Sequence, residues 1–240
     1  MDKNLKNIAD NFEAMQIGLD DEFKFHCTQC GKCCIHREDI LLNPKDIYNM
    51  SKELRLTPRD LIDRYCEIYI GPDSRVPIIR LKPRGTVKRC PLLKNRKCMV
   101  HKAKPVVCAM FPIGRCLVAE GVEKAVGIQD LGKIRYIFTH PDCGDSSETH
   151  TVRSWLGMFG IPVEDDFFLN WQEVVFEMCR VFREVEDRMS SRVIELLWTA
   201  AVSGLYLHYD IGQDFGPQFE ENARKFLELL HMNFPGGRNN

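Results

Sequence analysis

The chain has 240 residues, with 33 Lys and Arg against 34 Asp and Glu, for a formal net charge of −1 at pH 7. Hydrophobic residues make up 44% and charged residues 28%, which excludes a largely disordered chain and leaves ample material for a core. No apolar run reaches the roughly 18 residues that span a bilayer, residues 196–207 coming nearest, and the opening MDKNLKNIAD lacks a signal-peptide core.

A cytoplasmic setting is therefore expected, where thiols stay reduced and eleven cysteines favour metal ligation or catalysis over disulfides. In chain order, Leu5, Ile8, Phe12 and Met15 give residues 1–20 the spacing of an amphipathic helix. Residues 27–34, CTQCGKCC, then place four cysteines in eight positions, interrupted by Thr28, Gln29 and Lys32. Asn43-Pro44 opens a helix to about Leu56, and Thr57-Pro58 opens another with Leu61, Ile62, Tyr65, Ile68 and Tyr69 on its apolar stripe.

Residues 76–140 change character, with Pro and Gly punctuating the β-like runs VPIIRL, RCLVAE and IRYIF. Thr151 caps VRSWLGMFG. From about Asp165 the apolar residues Phe168, Trp171, Val174, Val175, Met178, Val181, Phe182, Val185 and Met189 recur at steps of three and four. A last helix follows Pro217, with Phe219, Ala223, Phe226, Leu227 and Leu230 on one face. The expected fold class is α+β: a small cysteine-rich metal-binding part over 1–150, then a helical part over 151–240 packed on it.

Charge is unevenly spread. Residues 74–119 hold twelve Lys and Arg and no acid, whereas 151–240 hold fourteen acids and eight bases. The basic stretch surrounds a second cysteine block, Cys90, Cys98 and Cys108, in CPLLKNRKCMVHKAKPVVCAMFP. A four-thiolate zinc site or [4Fe–4S] cluster carries about −2, so these cations suit thiolate chemistry, although a solvated cationic face reads equally well.

The first block, Cys27, Cys30, Cys33 and Cys34, has knuckle spacing, with Gly31 supplying backbone freedom. Its CxxCxxC portion matches the opening of a bacterial ferredoxin run, without the fourth cysteine at the usual place. Successive side chains diverge, so Cys33 and Cys34 are not expected to bind one ion. With Cys143 in HPDCG the thiols number eight, enough for two four-thiolate centres, or for one polynuclear cluster with an extra thiol.

Other chemistries fare worse. A thioredoxin-like CxxC lacks its βαβ context, a zinc ribbon lacks a second close pair, and neither a Cx3Cx2C triad nor a GxGxxG or GxxxxGK[ST] loop occurs. No nucleic-acid or membrane partner is expected, and neither a protein partner nor a catalytic residue can be named.

The run CTQCGKCC, followed by CPLL and then CMVHKAKPVVCAMFP, resembles the YkgJ-type CxxCxxCC family, a zinc- or iron-chelating cysteine-cluster domain, over roughly residues 25–115. The resemblance implies a metal ion or iron–sulfur centre held by Cys27, Cys30, Cys33, Cys34, Cys90, Cys98 and Cys108. The family includes the flagellin lysine methylase, which keeps open a metal-dependent enzyme of lysine N-methylase or oxidoreductase type, with S-adenosylmethionine as a further cofactor. Lys104 stands where the family usually has Arg, and Ala109 where Arg often follows the last cysteine.

Cys66, Cys179 and Cys116 read as small buried hydrophobes. His26 and His36 flank the first block and could tune a thiolate, whereas His101 suits packing or ligand support. Asp165 and Asp166 read as helix N-terminal charges. An enzyme would carry a pocket between the cysteines and the helical part, faced by bases such as Arg80, Lys82 or Arg84.

Overall fold

The computed structural model describes residues 10–36, 39–117, 134–186 and 188–234. Residues 1–9 of the helix expected over 1–20 lie outside them, and within the described part the helix does not continue to residue 20, because the chain extends from Gln16 to pair with a later strand. Within them, one turn, α1 (Phe12–Met15), runs into β1 (Gln16–Ile17). The part of RCLVAE beyond Leu117 and the final PGGRNN also lie outside the described residues.

Local capping chemistry sets the first two long helices. In α2 (Pro44–Leu54) the Asn43 side chain accepts from the Asp46 amide at 2.9 Å, and Asp46 Oδ2 accepts from the Asn43 amide at 3.1 Å. This reciprocal pairing satisfies two amides the helix start would otherwise orphan. Thr57 caps α3 (Pro58–Tyr65) from one side only, its hydroxyl accepting from the Asp60 amide at 3.1 Å.

The helix expected through Ile68 and Tyr69 stops at Tyr65. From Cys66 the chain extends as β3 (Cys66–Ile70), antiparallel to β4 (Pro77–Leu81), with Ile68 opposite Ile79. CEIYI satisfies a two-residue period as well as a helical one, and the pairing partner decides.

Next come a tight hairpin of β5 (Leu93–Lys94) and β6 (Lys97–Cys98), then α4 (Val106–Met110). β7 (Ile113–Leu117) pairs with β8 (Ile134–Phe138), which also pairs with β1. β9 (Asp145–Thr151) returns to pair with β2 (Glu22–His26). Its sequence, DSSETHT, carries no apolar alternation, and no strand is expected there from pattern alone.

Thr151 then caps α5 (Val152–Met158) in a second reciprocal box, with Ser154. The helical C-terminal part comprises α6 (Asp166–Glu186), α7 (Ser191–Val202), a wider turn at Ser203–Leu207, and α8 (Phe215–Asn233). Met189 falls past the end of α6 and is exposed. The architecture is α+β with a helical C-terminal part. Among the described residues no helix is long and apolar enough to cross a membrane.

Two apolar clusters hold these elements. One joins Ile47, Met50, Leu61 and Ile79 to Val181, Leu205 and Leu230 of the helical part. The other joins Phe23 and Phe25 to Met110, Ile113, Trp155 and Leu156. Each draws residues from both sides of position 150. Cys90, Cys98 and Cys108 pack against the first cluster, which makes it the floor of the cysteine region.

Candidate metal centre

The first cysteine block leaves β2 at His26 and coils back on itself. Gln29 and Gly31 both have positive φ, 52° and 76°, which turns the chain sharply before a short 3₁₀ turn over Lys32–Cys34. Glycine adopts that conformation without penalty. Cys27 and Cys30 are exposed, while Cys33 and Cys34 are half-buried. The two adjacent sulfurs lie 4.0 Å apart. The divergence expected of neighbours on a regular helix or strand is therefore not observed, because the tight turn brings both thiols to one side.

Backbone contacts deliver the second block to the first. The Cys90 amide donates to the Cys34 carbonyl at 2.8 Å. In the following hairpin, Asn95 and Arg96 have φ of 51° and 62°, the hand that suits a two-residue connection and sets Cys98 opposite Leu93. Cys108 lies in α4, whose first amide, Val106, donates to Asp46 Oδ1 at 2.8 Å. One carboxylate thus links the start of α2 to the helix that carries Cys108.

Strand register delivers Cys143. His26 pairs with Asp145, so the segment before β9 runs beside the segment after β2. Gly144 has φ 73°, and a Cβ there would lie 2.4 Å from the His26 carbonyl oxygen. Only glycine allows this approach, which sets Cys143 beside Cys27 and Cys30.

Cys27, Cys33, Cys34, Cys90, Cys98 and Cys108 line one cavity of about 80 Å³. The thiols repel one another's ionisation. Cys34 is raised chiefly by its hydrogen bond with Cys33, then by burial and by Cys33, Cys90 and Cys108. Burial raises Cys90 and Cys98. Cys143 is pushed up to about 11 by burial first and then by Cys33, Cys30 and Cys27. Cys30 runs the other way, lowered chiefly by the Lys32 amide and also by that of Gly144.

Such a group cannot ionise together without a cation, and a metal supplies one, since coordinated thiols are deprotonated outright. The donor set therefore fits a thiophilic metal. Among the described residues no group of three or more His, Cys, Asp or Glu side chains is placed to hold a metal ion as it stands.

Of the twelve cations between 74 and 119, Arg96 and Lys104 line this cavity, and Lys104 favours the Cys98 thiolate. Several others are engaged elsewhere. Arg80 binds Glu67 at 2.7 Å and lies over Tyr69, Arg84 lies over Tyr65, and Arg75 pairs with Glu186. Arg80 and Arg84 thus do not face the pocket expected of them. Arg115 forms a buried pair with Asp165 at 2.8 Å, its guanidinium 3.8 Å over the Phe168 ring. Asp165 also caps α6 by accepting from the Phe168 amide.

Cys66 is buried in β3, Cys179 packs on the helical core, and the Cys116 thiol donates to the Arg135 carbonyl at 3.7 Å. His26 lies 3.5 Å from Asp145 and 3.8 Å from Glu148, so it ties β2 to β9. His36 has φ 56° and donates its backbone amide to Val87. His101 lines the cysteine cavity, its pKa lowered by burial and by Lys104. Sequence reading missed Arg96, Lys45 and the links from Asp46 and Arg115. The Asn43-Pro44-Lys45-Asp46 cap was visible, but not what its acid would reach.

Residues 26–130 match the model of the CxxCxxCC family, described as "Putative zinc- or iron-chelating domain". The matched segment holds seven of the eight candidate thiols, Cys143 lying beyond it. An uncharacterized protein of Methanocaldococcus jannaschii is 27% identical over 112 residues, 46% of this chain and 54% of its own. The chain thus spans about half the length of that relative. No solved structure matches.

Proposed function

We propose that this chain holds zinc or iron through two adjacent groups of four thiolates. Cys27, Cys30, Cys33 and Cys143 form one, and Cys34, Cys90, Cys98 and Cys108 form the other. Two backbone anchors support the division. The Cys90 amide on the Cys34 carbonyl ties the second block to Cys34, and the pairing of His26 with Asp145 brings Cys143 to the exposed end of the first block. The 4.0 Å contact of Cys33 and Cys34 joins the groups.

The family description supports the metal. All-thiolate ligation suits zinc and iron–sulfur alike, and the CxxCxxC opening favours the latter. A cluster would supply one-electron chemistry, whereas zinc would cross-link the loops that carry its ligands.

The test is metal content in Cys33→Ser and Cys34→Ser, prepared anaerobically. Two centres predict that each variant loses a distinct share and that the losses add. Complete loss in one variant with full content in the other would mean a single centre. Full content in both would remove the pair from the ligand set. A brown preparation bleached by dithionite identifies iron–sulfur; a colourless zinc-loaded protein from an iron-rich anaerobic culture identifies zinc.

A further inference from the structure

A second, larger cavity adjoins the cysteine cavity on the side of the helical part. It has a volume of about 480 Å³, within the range of roughly 300–1,000 Å³ typical of small-molecule sites. Its walls come from the first turn of α2, the 3₁₀ turn His101–Ala103, α4, and the loop between α5 and α6. His101 and Lys104 line both cavities, so the larger one opens beside the thiols.

Three lysines line it: Lys45, Lys102 and Lys104. Lys45 Nζ lies 5.3 Å from the Phe167 ring centre and Lys104 Nζ lies 5.5 Å from that of Phe159, both rings being walls of the cavity. Aromatic faces, rather than carboxylates, position these two ammonium groups. The acids in the lining have partners of their own. Asp165 binds Arg115 and caps α6, while Asp46 accepts from the Asn43 and Val106 amides. Among the described residues none of the three lysines forms an ion pair with them.

The cavity thus combines three positive charges with apolar walls at Phe159, Ile161, Pro162 and Phe167. We propose that it is a binding site for a small organic anion, a carboxylate or phosphate on an apolar or aromatic body. The anionic group sits among the lysines and the body lies against the two rings. The site is separate from the thiolates and does not depend on which metal they hold.

The experiment is calorimetric titration of the full chain with phenyl phosphate, benzoate and uncharged benzyl alcohol at low salt. Phenyl phosphate, benzoate or both should bind, with affinity falling as salt is raised, and benzyl alcohol should not. Each lysine lost removes a charge-assisted contact, so Lys45→Gln with Lys102→Gln should weaken binding by roughly tenfold or more. Lys104 stays native because it also faces the thiols.

Metal content of the double variant, read in the same samples, should equal wild type. Failure of both anions to bind would overturn the proposal. So would binding that the double variant leaves unchanged, or equal binding of benzyl alcohol. Absence of metal alongside intact anion binding would count against the thiolate reading and leave this one standing.

Discussion

Replacing Gly144 by alanine breaks the join between β2 and β9 at the point where it holds Cys143. The new Cβ would lie 2.4 Å from the His26 carbonyl oxygen and 2.7 Å from the Phe25 ring, at a φ of 73°. The left-handed conformation alone costs an L-residue about 1–2 kcal/mol. The close approach is to backbone, so relief requires the strand ends to part, adding about 1–3 kcal/mol by analogy with overpacked cores. Gly85→Ala is the control, because its φ is 68° but nothing lies within 4 Å of its Cβ position. Urea unfolding followed by tryptophan fluorescence, with metal analysis on the same preparations, should show Gly144→Ala destabilised by about 2–5 kcal/mol from these two contributions. It should also lose the share of metal assigned to Cys27, Cys30, Cys33 and Cys143. Gly85→Ala should lose about 1–2 kcal/mol and keep its metal. If the two variants are indistinguishable in both readouts, the strand register does not hold Cys143 in a site.

Breaking the buried pair by Arg115→Met should cost about 3–5 kcal/mol, much of it recovered in Arg115→Met with Asp165→Leu; additive losses in urea unfolding would refute a coupled pair. Burial pushes the Asp46 carboxyl up to about 7 from 3.8, so the folded state retains a proton that the unfolded chain releases. The associated stability is full below pH 3.8 and is lost as pH rises toward about 7, so Asp46→Asn should gain relative to wild type across that window. A stability difference that stays flat over the window contradicts this. Trp155→Phe removes a buried donor to the Met110 carbonyl, 2.9 Å away, and should lower stability by about 1–3 kcal/mol. An unchanged urea midpoint would show that the carbonyl finds another partner.

Features written in local chemistry were legible in the sequence. Asn43-Pro44, Thr57-Pro58 and Thr151 each start a helix because the capping side chain and the amides it satisfies lie within three residues. The ligand candidates were legible for the same reason, since knuckle spacing is a property of short segments. Features set by distant partners were not. Ile68 and Tyr69 fit two periods, and pairing with β4 selects the extended one. β9 is polar because most of it faces solvent, so only its ladder to β2 reveals it. The position of Cys143 depends on that same ladder. Likewise, neither the link from Asp46 to α4 nor the lysine-lined cavity follows from spacing, because each joins segments far apart in the chain.

The central claim is that cysteine thiolates hold a metal here. X-ray absorption at the zinc and iron edges of the anaerobically purified full chain, with elemental analysis of the same sample, tests it most directly. The account predicts bound metal with an all-sulfur shell at about 2.3 Å. Iron and zinc together below about half an equivalent, or a nearest shell of nitrogen and oxygen at about 2.0–2.2 Å, would contradict it.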